Sequence, residues 1–190
     1  MKLGIFGGSF DPVHLGHLLV AQAAREELAL DRLYFVPAAQ SPFKRDRPCA
    51  AATDRLRLLR LALAGKTWCE IDDQEIRRGG VSYSVDTLRD YARRFPGAEL
   101  FYLIGADHVT SLPQWREAGE LARLSHFVVV PRPGRPDSVF PAPFRGTILK
   151  GFPLGVSSSA IRERLSAGRP VDHLVPSTVA EAIRNDRLYL

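Results

Sequence analysis

The chain predicts an α/β fold built on a doubly wound, mostly parallel sheet, and three observations carry that expectation. Short apolar runs without polar alternation recur along the 190 residues, as strands buried on both faces of a parallel sheet require. Stretches with helical spacing separate those runs, so strand, helix and strand follow one another, with right-handed crossovers expected between parallel neighbours. A hydrophobic content of 45% supplies enough apolar material for one substantial core, and a single domain over residues 1–190 suffices.

Residues 2–6 form the first apolar run. It ends in the turn GGSFDPVHLGH, residues 7–17. Gly7 and Gly8 let backbone come close to a ligand, and the helix start that follows offers N–H groups to an anion. Leu15, Leu18, Leu19, Ala23 and Leu28 keep helical spacing, which sets His14 and His17 on one face of the first turn. Residues 33–36 form the second strand, ended by Pro37. The stretch 38–52 has no apolar period and carries Lys44, Arg45 and Arg47. It reads as a basic loop at the carboxyl end of that strand, the edge where open α/β sheets bind ligands. Thr53 predicts an N-cap for a helix over 54–64, with Leu56, Leu59 and Leu63 on one face. Gly65, Lys66 and Thr67 imitate the tail of a phosphate-binding P-loop. The earlier glycine of that motif would fall at Arg60, and this turn ends a helix where a P-loop begins one.

Residues 68–71 predict a third strand, and 72–80 a surface hairpin or loop. SYSVDT, residues 82–87, leads into a helix through Arg94, stopped by Phe95, Pro96 and Gly97. A fourth strand spans 100–104 and ends at Gly105. Residues 109–118 read as irregular, followed by a short helix through Leu124 and a strand at 127–130. Pro131, Pro133, Pro136, Pro141 and Pro143 predict an extended surface loop. Residues 147–152 are the last strand candidate; Ser157, Ser158 and Ser159 begin a helix through Leu165, and Pro176 starts the final helix, to about Asn185. No internal repeat, heptad series or low-complexity tract interrupts this order.

A balance of 26 Lys+Arg against 21 Asp+Glu, net +5, suits an anionic ligand without choosing between a nucleotide and a nucleic acid. Arg55, Arg57, Arg60, Arg89, Arg93 and Arg94 fall within helical patterns, where a solvated face is the expectation. Cys49 and Cys69 have neither metal-ligand spacing nor a CxxC arrangement, so reduced thiols are expected. The N-terminus enters a strand after Lys2 without a secretory signal. Gln22, Arg25, Glu26 and Glu27 break the first helical run before it can span a bilayer, so a soluble, cytoplasmic protein with no membrane partner is expected.

Five separated motifs carry a family resemblance. GGSFDPVHLGH resembles the (H/T)xGH nucleotidyltransferase signature, and its GSFDP wording is similar to the nicotinate-nucleotide adenylyltransferase family of bacterial NAD synthesis. SYSVDTL (82–88), LIGADHVTSLPQW (103–115), VSSSAIR (156–162) and HLVP (173–176) resemble that family's SYTxDTL, GAD...W, ISSTxIR and YLVP segments, in the same order. The resemblance implies a Rossmann-like nucleotidyltransferase fold with C-terminal helices. It also implies a reaction in which the 5'-phosphate of nicotinate mononucleotide attacks the α-phosphorus of ATP, giving nicotinate adenine dinucleotide and pyrophosphate. Such a transfer depends on positioning and charge neutralisation, so no covalent intermediate is needed.

On this resemblance His14, His17, Lys44 and Arg162 are catalytic. ATP is assigned to Gly7, Gly8, Ser9, Phe10, His14, His17, Gly105, Asp107, Ser157, Ser158, Ser159 and Arg162, with Mg2+ arriving on its phosphates and no protein ligand of the metal assigned. Nicotinate mononucleotide is assigned to Phe10, Lys44, Tyr83, Ser84, Asp107 and Trp115. Serines and an arginine at a helix start are also ordinary capping chemistry, Trp115 beside Leu112 also suits a core, and Asp107 also suits an N-cap. Two positions depart from the family pattern: Phe43 stands where a histidine commonly precedes the basic residue of PxHK, and His173 replaces the Tyr of YLVP. A transferase of the same fold with another acceptor, such as nicotinamide mononucleotide or phosphopantetheine, or with a cytidylyl donor, is the near alternative. A basic nucleic-acid-binding module is the remote one, disfavoured by the specificity of the HxGH match. The sequence leaves the oligomeric state open, a homo-oligomer included.

Overall fold

The computed structural model describes residues 1–43, 50–130, 139–152 and 154–190. Among them, β1 (Lys2–Gly8), β2 (Arg32–Pro37), β3 (Cys69–Ile71), β4 (Glu99–Gly105), β5 (His126–Val130) and β6 (Gly146–Ile148) lie parallel in one sheet. Its order is β3-β2-β1-β4-β5-β6. The absence of polar alternation in the strands has a direct cause, because both faces of the sheet are covered. Leu33 and Phe35 of β2 pack into one core, while Tyr34 and Val36 pack into the other. In β4, Phe101 and Leu103 face the first core, and Leu100, Tyr102 and Ile104 the second.

The helices are α1 (Leu15–Leu28), α2 (Ala52–Leu63), α3 (Gln74–Arg78), α4 (Ser84–Arg94), α5 (Ala118–Leu124), α6 (Ser158–Ser166) and α7 (Ser177–Asn185). Buried residues of α1, α2, α6 and α7 belong to the first core, and those of α4 and α5 to the second. From β1 the chain winds outward to β2 and β3, then returns to the other side of β1 as β4 and winds the opposite way. The reversal leaves a crevice outside the carboxyl ends of β1 and β4, where ligands bind in sheets of this kind. Among the described residues, no helix is long and apolar enough to cross a membrane.

Several local expectations are corrected. Residues 72–80 are not a surface loop throughout, because 74–78 form α3 and Glu75 within it is 4% exposed. A five-residue helix is too short to show a period, and a buried, hydrogen-bonded Glu resembles an exposed one in sequence. Thr53 does not cap α2, which begins two residues earlier than expected, at Ala52 behind Ala51, and has no side-chain cap bond. The stretch expected to be irregular is largely a 3-10 helix, Ala106–Gln114, and the last strand is confined to Gly146–Ile148. Arg55 is buried at 2% exposure instead of lying on a solvated face. Lys44, Arg45, Arg47, Cys49, Pro131, Pro133 and Pro136 lie outside the described residues.

A buried polar knot fixes α4 to the sheet. Asp72, just past β3, accepts from Tyr91 Oη at 2.9 Å and from Arg94 Nη1 at 2.6 Å. Burial alone would raise the Asp72 carboxyl, but the Arg94 and Tyr91 bonds hold it below the usual carboxylate range. The knot holds the C-terminal half of α4 to the end of β3.

Candidate active site

The carboxyl end of β1 forms the floor of one half of the crevice. A Cβ on Gly7 would stand 2.5 Å from Tyr102 Oη, so only glycine fits between β1 and that hydroxyl. His14 is the N-cap of α1, and its backbone N–H donates to Nδ1 of His17 at 3.2 Å. An imidazole that accepts at Nδ1 carries its proton, when neutral, at Nε2. The backbone therefore sets the tautomer of His17 and leaves Nε2–H as that ring's donor. The two imidazoles stack with centroids 3.7 Å apart, and Phe10 meets the His17 ring edge-on at 5.0 Å. Gly16, between the histidines, leaves little room for a side chain: a Cβ there would lie 3.0 Å from the His14 ring, which would have to shift.

The start of α6 packs directly against this turn and extends the same side of the crevice. Ser157 caps the helix by accepting from the Ala160 N–H at 3.2 Å, and Ser158 Oγ donates to the Pro12 carbonyl at 3.0 Å. Arg162 donates to the Asp11 carbonyl at 2.7 Å and to Ser159 Oγ at 3.3 Å, and its guanidinium lies 3.5 Å from the Asp11 carboxylate. That carboxylate also accepts from the Ala50 N–H and the Tyr189 hydroxyl, at 3.2 and 2.8 Å. Asp11, buried and absent from the sequence-derived site, thus joins the turn to α6, to the entry of α2 and to the C-terminal segment. Its signal was in plain view in the Asp-Pro of GSFDP, which reads as turn chemistry. Arg162 is not part of the cleft wall in this arrangement.

The other half is assembled from separate elements. Ser84 Oγ and Tyr102 Oη lie 2.8 Å apart. Burial, with Glu75 nearby, pushes the Tyr102 phenol up, so it stays protonated and able to donate. Thr87 and Ser82 both hydrogen-bond to the Glu75 carboxylate, whose pKa is nevertheless raised by burial. Trp115 donates from Nε1 to Ser111 Oγ at 3.2 Å. Its ring lies 5.5 Å from Phe43 and 5.9 Å from His108, with Phe43 53% exposed at the mouth. Tyr83 turns away from the cleft, with the Arg116 guanidinium 4.6 Å over its ring.

Together the halves enclose a cleft of about 630 Å³, within the ordinary range for a small-molecule site. Of the sequence-derived residues, the wall brings together Gly7, Gly8, Ser9, Phe10, His14 and His17 with Ser84, Gly105, Asp107, Trp115 and Ser157 to Ser159. Arg162 and Tyr83 stand behind it, and Lys44 lies outside the described residues. Glu75, Ser82, Tyr102 and His108 are wall residues that sequence reasoning missed. Among the described residues, no group of three His, Cys, Asp or Glu could hold a metal ion. Asp107 contributes a carboxylate to the cleft wall.

The Cytidylyltransferase-like family model matches residues 5–164, which makes the chain, with its cleft at the sheet's switch point, a nucleotidyltransferase of that class. A Dehalococcoides mccartyi protein named "Probable nicotinate-nucleotide adenylyltransferase" is 40% identical over 198 residues, covering 100% of this chain and 97% of its own. A protein of the same name from Opitutus terrae is 40% identical over 196 residues, covering 100% and 98%. The chain belongs to the nicotinate-nucleotide adenylyltransferase family. The fold is shared with the Plasmodium falciparum nicotinic acid mononucleotide adenylyltransferase complexed with NaAD, at a TM-score of 0.81 and 17% identity over 99% of this chain and 97% of that one. The Plasmodium protein complexed with APC gives a TM-score of 0.78 at 15% identity, covering 99% and 96%.

Proposed function

We propose that this chain transfers the adenylyl group of ATP to nicotinate mononucleotide, forming nicotinate adenine dinucleotide and pyrophosphate in NAD biosynthesis. The observation that carries this reading is a single cleft bounded on one side by the two stacked histidines and the α6 start, and on the other by Ser84, Tyr102, Asp107 and Trp115. The first side suits a polyphosphate, and the second suits a flat ring bearing a polar substituent.

In the proposed reaction an oxygen of the acceptor's 5'-phosphate forms a bond to the α-phosphorus as the bond from that phosphorus to the bridging oxygen of pyrophosphate breaks. His17, donating from Nε2, stabilises charge that develops on the phosphate oxygens, and His14 adds a second imidazole beside it. Backbone of Gly7, Gly8, Ser9 and Phe10 and the start of α6 orient the triphosphate. Lys44 supplies further positive charge. Arg162 acts from behind the turn through Asp11 and Ser159, and a direct phosphate contact would require it to release those bonds. Asp107, on the wall, would help hold a Mg2+ ion arriving with ATP, which would supply charge neutralisation. Trp115 receives the pyridine ring, and Ser84 its carboxylate. The setting of this activity is cytoplasmic, in a single domain over residues 1–190.

The test is pyrophosphate release by purified protein with ATP, Mg2+ and either pyridine mononucleotide. Faster turnover of the nicotinate form supports the acceptor assignment, and equal turnover of the nicotinamide form overturns it. Chelation with EDTA should abolish release, and added Mg2+ should restore it; unchanged release under EDTA would remove the metal from the reading.

A further inference from the structure

Arg55 sits on α2 away from the cleft wall, yet its guanidinium is buried. Nε donates to the Ala50 carbonyl at 3.1 Å and Nη1 to the Ser9 carbonyl at 2.6 Å. Nη2 donates to the carbonyls of Ala38 and Ala39, at 2.8 and 3.1 Å. All four acceptors are main-chain oxygens and none is a carboxylate. Burying a cation on neutral partners is costly, so the arrangement needs a purpose that a solvated arginine would not serve.

The carbonyls belong to different parts of the site. Ser9 lies in the turn that follows β1, whereas Ala38 and Ala39 begin the segment leaving β2. The connection continues from there, because the Ala39 N–H donates to Ser82 Oγ at 3.0 Å and the Ser82 N–H to the Gln40 carbonyl at 2.9 Å. The Ser82 side chain is in turn hydrogen-bonded to Glu75, which also holds Thr87 on α4. A continuous chain of hydrogen bonds therefore runs from the phosphate turn, through Arg55, to the segment that carries Ser84.

We infer that Arg55 is a positioning residue that sets the separation between the ATP turn and the acceptor segment. The inference rests on the adenylyl-transfer reading. In a two-substrate displacement the reacting oxygen and phosphorus must be held together, and an error of about 1 Å costs on the order of 100-fold in rate. The planar fork of arginine spans carbonyls on both sides at once, whereas the compact ammonium of lysine cannot reproduce that geometry.

The experiment measures kcat and both KM values for wild type, Arg55→Lys, Ser82→Ala and the double variant. Separate calorimetric titrations give the affinity for each substrate. The expected result for folded Arg55→Lys is a fall in kcat of roughly 10- to 100-fold, with each substrate's own affinity within about threefold of wild type. Because the two residues are links of one chain, the double variant should be little worse than the poorer single variant. A kcat for Arg55→Lys within about threefold of wild type, or single losses that multiply in the double variant, would overturn the inference. If circular dichroism shows Arg55→Lys unfolded, Ser82→Ala decides: a kcat loss at unchanged affinities supports positioning, and a purely acceptor-KM effect or no effect overturns it. A wild type that forms no dinucleotide overturns the functional reading and this inference together; an active wild type with undiminished variants overturns this inference alone.

Discussion

The two walls of the cleft are built in opposite ways. The wall proposed to hold phosphates comes from two short continuous segments, residues 7–17 and 157–159, and presents largely backbone, serines and two imidazoles at helix starts. The facing wall draws single side chains from α3, the start of α4, β4, the 3-10 helix after β4 and the first part of the segment leaving β2. The first can be carried as a unit by a local motif. The second exists only once the sheet has brought distant residues together. On the proposed adenylyl-transfer reading, reactivity resides in a stretch of sequence, whereas acceptor choice resides in the assembly.

Substitutions on the two walls should therefore differ in kind as well as in size. The largest effect is expected from His17→Ala, which should lower kcat by orders of magnitude, about 3 kcal/mol or more of transition-state stabilisation, without loss of the fold. Near-normal steady-state kinetics in that variant would remove the histidine from the phosphate wall. Gly16→Ala should come next, with roughly a tenfold fall in kcat, since its methyl would displace the His14 ring from 3.0 Å. A crystal structure of this variant with the rings unmoved would contradict the packing explanation.

Trp115→Ala should raise the acceptor KM by about tenfold, worth about 1.4 kcal/mol, and leave the ATP KM unchanged. If both constants rise together, the walls are not separate in function. The smallest effect is expected at Phe43→Ala, a few-fold rise in the acceptor KM alone, because the ring is half exposed and touches Trp115 from one side. Initial-rate measurements with the acceptor varied against ATP resolve this from no change.

What could be read from the sequence follows the same division. The strands were legible because both of their faces are apolar, and the phosphate turn because its residues are contiguous. Glu75 and Arg55 were not, since their burial is decided by partners far along the chain, Thr87 in one case and the Ser9 and Ala38 carbonyls in the other. A charged residue in a helical pattern reads as solvated unless its partners are known. Tyr102 was legible as part of a strand, but its hydroxyl became a wall group only through Ser84 on another element. Asp11 fell between these cases, visible as a turn former but not as the meeting point of three segments.

That meeting point also bears on how the protein is made. Tyr189 donates to Asp11 across a separation of 178 residues, so one bond that steadies the phosphate turn joins an early residue to a very late one. On a ribosome the N-terminal part of a chain emerges and begins to organise first. The β1 turn is therefore synthesised well before the tyrosine that bonds its Asp11, and that bond forms only once the chain has been made through residue 189.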